Sequence, residues 1–512
     1  MPAADKVLAR LSVRPWLLRL TAFANGGLLM LSFAPVGWFP LALVLLLPFL
    51  AVTLELPPRL AMRYGFWFGC GLFLTGTYWL YVSVHVFGQA PLAIAIFLML
   101  ALVLIMALYY AGTGWLIATL SHARPAWLVA IAPATWVAVE WLRGWFLTGF
   151  PWMTVGYGQI DAPLAGFAPL LGVYGVSLAT VISAAALVAA VRISDVRRFV
   201  FLAVAVAPWL AGYGLERLSF TETAGPPVTT TIVQGGISQD RKWLIEQFPE
   251  TIELYRQSLA AHPDSSLVVW PEVAIPALLH QVEGYVRQWQ SMVRFREQSL
   301  LFGILERDPD DNRIYNSVIA LDGTTRQVYR KRHLVPFGEY FPVPEFVREW
   351  MRLLSLPHSD LSAGEHPQPL LEMPDGNRLA VAICYEDAYA AEQLYALPDA
   401  TLLINVSNDA WFGDSIAPHQ HLEIARMRAL EVERPVVRAT NNGVSAFIGA
   451  RGEILASGPQ FELVILTRAV QPRTGLTPYA RAGNWPVVGA CLAVLAAAGW
   501  RRRRETTPIS ID

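Results

Sequence analysis

A carboxylate and a thiol each close an apolar run in the second half of this 512-residue chain, and an ammonium stands between them in a basic stretch. Glu272 closes the run Val268-Val269-Trp270-Pro271-Glu272. Lys331 lies 59 residues further on, in the stretch from Tyr329 to Glu339, and Cys384 another 53 residues on, directly after the apolar residues 379–383. These three groups are sufficient for covalent acyl transfer. A thiolate is the nucleophile, and a neighbouring cation lowers its pKa from about 8.5. The carboxylate accepts the thiol proton and later returns it to a leaving group. The ammonium, with a backbone N–H near Tyr385, meets the oxyanion of the tetrahedral intermediate. Each group also has a plain reading by itself. A buried Cys commonly acts as a small hydrophobe, a Glu after Pro as a cap, and a Lys in a basic run as part of a solvated face.

Catalysis requires elements that bring the three together. Apolar, β-rich runs at 228–233, 267–270, 299–304, 317–321, 379–383, 402–406, 436–440 and 445–448 read as strands, with helical patterns such as 249–261 and 417–432 between them. Strands alternating with helices imply a layered α/β domain, expected over residues 217–484. In such folds the strand ends converge on a cleft, and all three chemical groups sit at or just beyond a predicted strand end.

The rest of the chain has a different character. Hydrophobic residues make up 54% of the sequence and charged residues 15%, a balance that points to membrane spans. Apolar segments run over about 20–35, 38–54, 62–80, 90–120, 126–142, 164–190 and 199–215, with an eighth at 485–500. The expected organisation is a polytopic α-helical membrane domain (residues 1–216, seven transmembrane helices), the α/β ectodomain, and an eighth transmembrane helix with a basic tail (485–512). The first segment lacks a small-residue cleavage site and reads as a retained anchor. With the N-terminus inside, Lys6, Arg10, Arg14, Arg19, Arg59, Arg63, Arg124, Arg192, Arg197, Arg198 and Arg501 to Arg504 all face the cytoplasm, while the short outer loops carry only Arg143. The α/β domain then lies outside the cytoplasm. Net charge is −1, which gives no sign of a nucleic-acid partner. Cys70 and Cys491 fall in apolar runs, so Cys384 has no local disulfide partner, and no Cys/His pattern suggests a metal.

Two further stretches carry paired readings. Glu140, with Arg143 and the Trp-rich residues 145–152, reads either as a helix end with a local ion pair or as a surface turn meeting lipid headgroups or the outer domain. Residues 344–357 place apolar side chains at helical spacing, which suits a core-facing helix or a mobile arm that dips into lipid.

Together, the Glu272, Lys331 and Cys384 stretches resemble the nitrilase (carbon-nitrogen hydrolase) superfamily, whose Glu-Lys-Cys triad lies at strand ends of an αββα sandwich. The pattern of seven spans, this domain and a last span is narrower. It is similar to the bacterial apolipoprotein N-acyltransferase family. The supporting stretches are Val233-Gln234-Gly235, Lys242-Trp243, Tyr315-Asn316-Ser317, KRHLVPFGEY, ICYED, SNDAWFG (407–413), Arg426-Met427-Arg428-Ala429, Thr440-Asn441-Asn442-Gly443, EWLRG and TGFPW. Gly236 stands where the family carries Asn. The resemblance implies Glu272, Lys331 and Cys384 as the triad, Glu339 and Glu386 as further essential carboxylates, and Trp243, Asn316 and Tyr385 as pocket residues. Trp411 and Phe412 form a second candidate lip of the substrate site. On the residues themselves, Glu386 reads as an anchor of the Cys384 turn, the alternative being a proton carrier. A carboxylate two residues from a thiolate would otherwise raise the thiol pKa.

The activity implied is a ping-pong transfer of a fatty acyl chain from a phospholipid, phosphatidylethanolamine preferred, to the N-terminal amine of the S-diacylglyceryl cysteine of apolipoproteins. It runs through a Cys384 thioester and needs no cofactor or metal. The expected setting is a monomer in the bacterial inner membrane, among membrane lipids, with the catalytic domain periplasmic and both termini cytoplasmic. An acyl chain of ~16 carbons gains roughly 12 kcal/mol by staying in lipid, at about 0.8 kcal/mol per CH₂, so a cleft acting on it must come to the bilayer. The alternatives are a membrane-anchored amidase using water as acceptor and a non-catalytic lipoprotein-binding protein.

Overall fold

The computed structural model describes residues 15–121, 123–340 and 361–506. The segment 344–357, the basic residues before position 15 and the tail beyond 506 lie outside the described residues. The chain divides into two compact units. One comprises Met1–Tyr81, Ala90–Ser219 and Ala482–Asp512, the other Val82–Gln89 and Phe220–Arg481.

The first unit is helical. Its helices are α1 (Pro15–Leu29), α2 (Pro40–Glu55), α3 (Pro58–Gly76), α4 (Leu92–Ser121), α5 (Pro125–Arg143), α6 (Ala168–Arg192) and α7 (Arg197–Leu215), followed much later by Trp485–Thr506. Pro40, Pro58 and Pro125 each open a helix, where a missing N–H has no intrahelical partner to lose. A helix falls on each of the eight apolar segments, but among the described residues four are long and apolar enough to cross a membrane: Leu92–Ser121, Pro125–Arg143, Pro163–Arg192 and Arg197–Leu215. A fifth arises if Pro58–Gly76 and Trp79–Phe87, bent by 52°, form one span. Helix α3 packs through bare backbone on both sides. A Cβ at Gly71 would lie 2.0 Å from the Phe23 carbonyl oxygen on α1, and one at Gly65 2.1 Å from the Tyr110 carbonyl oxygen on α4. Small residues at helix contacts allow this approach.

Glu140 and Arg143, at the end of α5, are 2% and 1% exposed, so neither presents its charge to headgroups. Glu140 Oε1 accepts the Trp136 indole N–H at 2.9 Å and the Val155 N–H at 2.8 Å. Arg143 donates to the carbonyls of Phe150 (2.6 Å) and Trp152. The pair ties the non-helical residues 150–155 back onto the helix end, satisfying backbone groups that would otherwise be buried without partners.

Among the described residues, the second unit contains fifteen strands. In chain order they are β1 (Thr221–Thr223), β2 (Val228–Gln234), β3 (Leu267–Val269), β4 (Ile275–Leu278), β5 (Ser299–Arg307), β6 (Ile314–Leu321) and β7 (Arg326–Arg330). Then follow β8 (Leu371–Glu372), β9 (Arg378–Ile383), β10 (Leu402–Ser407), β11 (Val436–Thr440), β12 (Ala446–Ile448), β13 (Ile454–Ser457), β14 (Val464–Val470) and β15 (Arg473–Gly475). One sheet runs β14-β2-β3-β5-β6-β7, with β4 beside β5; the other runs β13-β12-β11-β10-β9-β8; β1 and β15 pair separately. Strands β2, β3 and β5 are parallel, as are β9, β10 and β11.

Alternation along these strands builds four layers. Val269, Leu301 and Val318 of one sheet meet Val381, Ile383, Ile404, Val406 and Val437 of the other in a shared core. The opposite faces of the first sheet, Val268, Trp270, Leu300 and Phe302, pack against α8 (Phe248–Ala261) and α9 (Glu283–Arg296) through Tyr255 and Trp289. The outer face of the second, Ala380, Leu403 and Val436, packs against α10 (Ala417–Val432) through Leu422, Ala425 and Ala429. Strands buried on both faces read as continuous apolar runs, and the order helix, sheet, sheet, helix follows from which alternate residues each helix covers.

Candidate active site

Register places the chemistry. Val406 of β10 pairs with Ile383 of β9, and Ser407 with Thr440 of β11, so Cys384, Asn408 and Asn441 leave adjacent parallel strands at one edge. Glu272 follows β3 by three residues and Lys331 directly follows β7. Gly303 on β5 makes room for Glu272: a Cβ there would lie 2.5 Å from the Pro271 carbonyl oxygen and 2.6 Å from the Glu272 Cα.

Lys331 is 1% exposed and bridges two carboxylates, with Nζ 2.8 Å from Glu339 Oε1 and 3.4 Å from Glu272 Oε1. Asn316 donates from one amide nitrogen to the same two oxygens, at 2.7 Å to Glu272 and 3.1 Å to Glu339. The Asn408 N–H holds Glu272 Oε2 at 2.8 Å, and the Val335 N–H holds Glu339 Oε2 at 2.8 Å. Burial works against the charge on Lys331, but Glu339 and Glu272 outweigh it and keep the ammonium well above the usual lysine range.

Cys384 is partly accessible yet densely surrounded. Burial and then the Glu272 charge push its thiol well above the ordinary range, and Lys331 offsets only part of this. The cation therefore does not bring the thiol below its ordinary range, as its charge alone would. Desolvation favours the neutral form, which for this side chain is the protonated thiol. The backbone at Cys384 has φ +52°, a left-handed conformation that costs a non-glycine residue roughly 1–2 kcal/mol. It turns the chain sharply off the end of β9.

Glu386 lies behind this turn, 2% exposed. Its Oε2 accepts from the Ile383 N–H at 2.7 Å and the Tyr329 hydroxyl at 3.0 Å, and its Oε1 accepts from the N–H groups of Arg332 (2.7 Å) and His333 (3.2 Å). It thereby joins the Lys331 segment to the Cys384 turn. Burial pushes the carboxyl up, and the bonds from Ile383 and Arg332 recover part of that. Tyr385 is half-buried, its ring 5.1 Å from Tyr389 and edge-on to it. His333 stacks on Tyr389 at 3.6 Å and meets Glu392 at 3.0 Å. Trp243 and Trp411 are exposed, at 52% and 39%. Phe412 follows Trp411 on the turn after Asn408, and the next residue, Gly413, packs against Val82 and Phe87.

Some groups at this site were not singled out by motif reading. Lys242 is 1% exposed and donates to the Glu272 carbonyl at 3.3 Å; burial lowers its pKa to about 8, with Glu272 opposing. Asp387, Asp409, His421 and Arg438 form a buried charge cluster on the far side of the Cys384 turn. Signals for it exist in the sequence. Helix α10 has polar residues on every side although all of its residues except His419 and Arg426 are buried, and Arg438 interrupts the apolar strand β11. At Gly236, φ is +65°, a conformation open to both Gly and Asn, which accounts for the departure from the expected Asn.

The αββα layers, with a carboxylate, an ammonium and a thiol at their strand ends, define a carbon-nitrogen hydrolase fold and site. Residues 229–479 match the carbon-nitrogen hydrolase family, and residues 25–186 match the apolipoprotein N-acyltransferase N-terminal domain. The apolipoprotein N-acyltransferase of Nitrosomonas europaea is 41% identical over 95% of this chain and 98% of its own. That of Azotobacter vinelandii is 42% identical over 96% of each. Among solved structures, Saccharomyces cerevisiae Nit3, a nitrilase-superfamily member, aligns at 19% identity and TM-score 0.37, over 57% of this chain and all of its own. The chain belongs to the apolipoprotein N-acyltransferase family.

Proposed function

We propose that this protein moves a fatty acyl chain from a membrane phospholipid to the N-terminal amine of the S-diacylglyceryl cysteine of apolipoproteins, by way of a thioester on Cys384. The observation that carries the reading is Glu272, held by the Asn316 amide, the Asn408 N–H and Lys331, with its charge acting on the Cys384 thiol. A base fixed at a neutral thiol suits proton transfer concerted with attack.

In the first half-reaction Glu272 takes the thiol proton as sulfur bonds the ester carbonyl carbon. Lys331 and the Tyr385 N–H stabilise the oxyanion. The C–O bond breaks, Glu272 returns the proton to the departing oxygen, and a lysophospholipid leaves. In the second, the amine attacks the thioester and Glu272 takes its proton. The C–N bond forms, the C–S bond breaks, and the proton goes to sulfur. Phosphatidylethanolamine is the donor in this reading, and Trp243, Trp411, Phe412 and Tyr385 line the lipid's approach. Eight spans in a monomer place residues 217–484 in the periplasm of the inner membrane, with both termini in the cytoplasm; fourteen inward Lys and Arg against one outward support this orientation.

The test is mass spectrometry of the Cys384 peptide from protein purified from membranes. An acyl-sized increment, absent in Cys384→Ser and discharged by a diacylglyceryl peptide with a free amine, is the expected result. Release of free fatty acid without any acceptor would instead identify a hydrolase.

A further inference from the structure

The charge cluster behind the nucleophile takes no part in the steps above. His421, on α10, is 1% exposed. Its Nδ1 lies 2.9 Å from Asp409 Oδ1, and its Nε2 lies 2.9 Å from Asp387 Oδ1 and 3.2 Å from the carbonyl oxygen of Cys384. Arg438 reaches Asp409 Oδ2 at 2.8 Å and Asp387 Oδ2 at 3.4 Å. On both sides of the ring a carboxylate oxygen lies at 2.9 Å, an acceptor facing each nitrogen. Both nitrogens therefore carry hydrogen, and the ring is an imidazolium. Two carboxylates and two cations then balance in a site closed to water.

The contact with Cys384 has a geometric consequence. A trans peptide is planar, so the carbonyl of one residue and the N–H of the next point in opposite directions. Holding the Cys384 carbonyl towards His421 fixes the Tyr385 N–H away from it. We propose that the imidazolium of His421 is a positioning residue for acyl transfer, which by gripping the Cys384 carbonyl aims the Tyr385 N–H at the oxyanion. The turn is strained at φ +52°, and such conformations persist only where the surroundings over-determine them. Glu386 fixes the Ala382–Ile383 peptide, one unit ahead of the nucleophile's own, through the Ile383 N–H, and His421 fixes the peptide after the nucleophile. A neutral imidazole has one N–H and cannot serve Asp409 and the Asp387–Cys384 pair together.

The inference rests on Cys384 being the acylated nucleophile. The charged groups facing His421 are Asp387 on the turn after β9, Asp409 on the turn after β10, and Arg438 on β11. Burial and Arg438 disfavour its charge, but Asp387 and Asp409 outweigh them and raise its pKa to about 9. Lys242 titrates in a similar range at the Glu272 carbonyl, so the assignment depends on variants of the cluster itself.

The experiment measures the rate of thioester formation on Cys384 by quenched intact-protein mass spectrometry. It uses the full chain in detergent micelles containing phosphatidylethanolamine, without acceptor, from pH 6 to 10. The wild-type rate should fall above about pH 9. Asp387→Asn, which removes a carboxylate facing Nε2, should move this fall to lower pH by one unit or more. His421→Gln should abolish this component and lower the maximal rate of thioester formation roughly 10- to 100-fold, with the half-saturating phospholipid concentration unchanged, a loss smaller than the ~10²–10³ of deleting an oxyanion donor. A His421→Gln protein with wild-type rate and pH profile would overturn the inference, as would an Asp387→Asn profile that does not move. If His421→Gln does not fold, the Asp387→Asn profile decides. Absence of any wild-type thioester would refute the nucleophile assignment instead, so the two failures are distinguishable.

Discussion

Replacing Glu386 by Gln separates an anchor from a proton carrier. The carboxylate accepts from three backbone N–H groups and one hydroxyl, and all four partners are donors. Gln retains one acceptor oxygen and turns an NH₂ towards the donors on the other side. The less costly orientation keeps the oxygen towards Arg332 and His333 and sets the NH₂ against the Ile383 N–H, 2.7 Å away in the wild type. Losing a hydrogen bond to a charged group costs about 1.5–3 kcal/mol, and the stranded buried N–H about 1–3 kcal/mol more. A total near 4 kcal/mol corresponds to a melting-temperature drop of about 10 °C for a domain of this size. The N–H left stranded belongs to the residue before the nucleophile, so thioester formation should fall with stability. The assay pairs a thermal melt of the detergent-solubilised protein with the rate of acyl-enzyme formation well below the melting temperature. A Glu386→Gln protein that melts with wild type yet forms no thioester would refute the anchor reasoning and identify Glu386 as a proton carrier.

Cys384→Gly should melt higher than Cys384→Ala, because only glycine adopts φ +52° without strain, a difference of about 1 kcal/mol; scanning calorimetry of the two inactive proteins checks the order. Gly303→Ala places a Cβ 2.5 Å from backbone atoms of Pro271 and Val273, displacing Glu272 and lowering thioester formation by about 10²-fold for an ~1 Å shift; an unchanged rate would show that the base tolerates misplacement. Stability should depend on His421 above neutrality. Its folded pKa of about 9 lies above the model-compound 6.5, so its contribution, about 3 kcal/mol, is complete below pH 6.5 and is lost as pH rises through 9. Lys242, depressed from 10.5 to about 8, acts with the opposite sign between pH 8 and 10.5. Melts of Lys242→Met between pH 6 and 10 should therefore show the steeper alkaline loss, and melts of His421→Gln should lack it.

Legibility in the sequence followed burial. Strand β11 and helix α10 have the bounds that their apolar runs predict, and β2, β9 and β10 differ only by a residue at one end. The reason is that buried parallel strands leave continuous apolar runs. Strand β7, reading RQVYR, and strand β14, reading VILTRAV, were not read as strands; both lie at the edge of their sheet, where exposed polar residues break the pattern. At the site, the thiol and the carboxylate stood out because each follows an apolar run, and the ammonium because the stretch around it carries a recognisable motif, KRHLVPFGEY. His421 and Arg438 did not, since a single polar residue in a helix or strand looks alike whether it faces water or a buried partner. The membrane unit was legible as eight apolar segments, but α2, with 16 residues, shows that an apolar helix and a full-length span are different things.

The protonated resting state of Cys384 bears on what the protein ignores. Oxidants and alkylating electrophiles react with thiolates far faster than with thiols. On the proposed mechanism, a nucleophile kept as a thiol by its own base reacts slowly with them between turnovers, and becomes reactive while an acyl carbonyl is in place to receive the sulfur as the proton leaves. The restraint that slows ionisation therefore also preserves the enzyme, sparing a solitary cysteine that has no resolving partner nearby to reverse its oxidation.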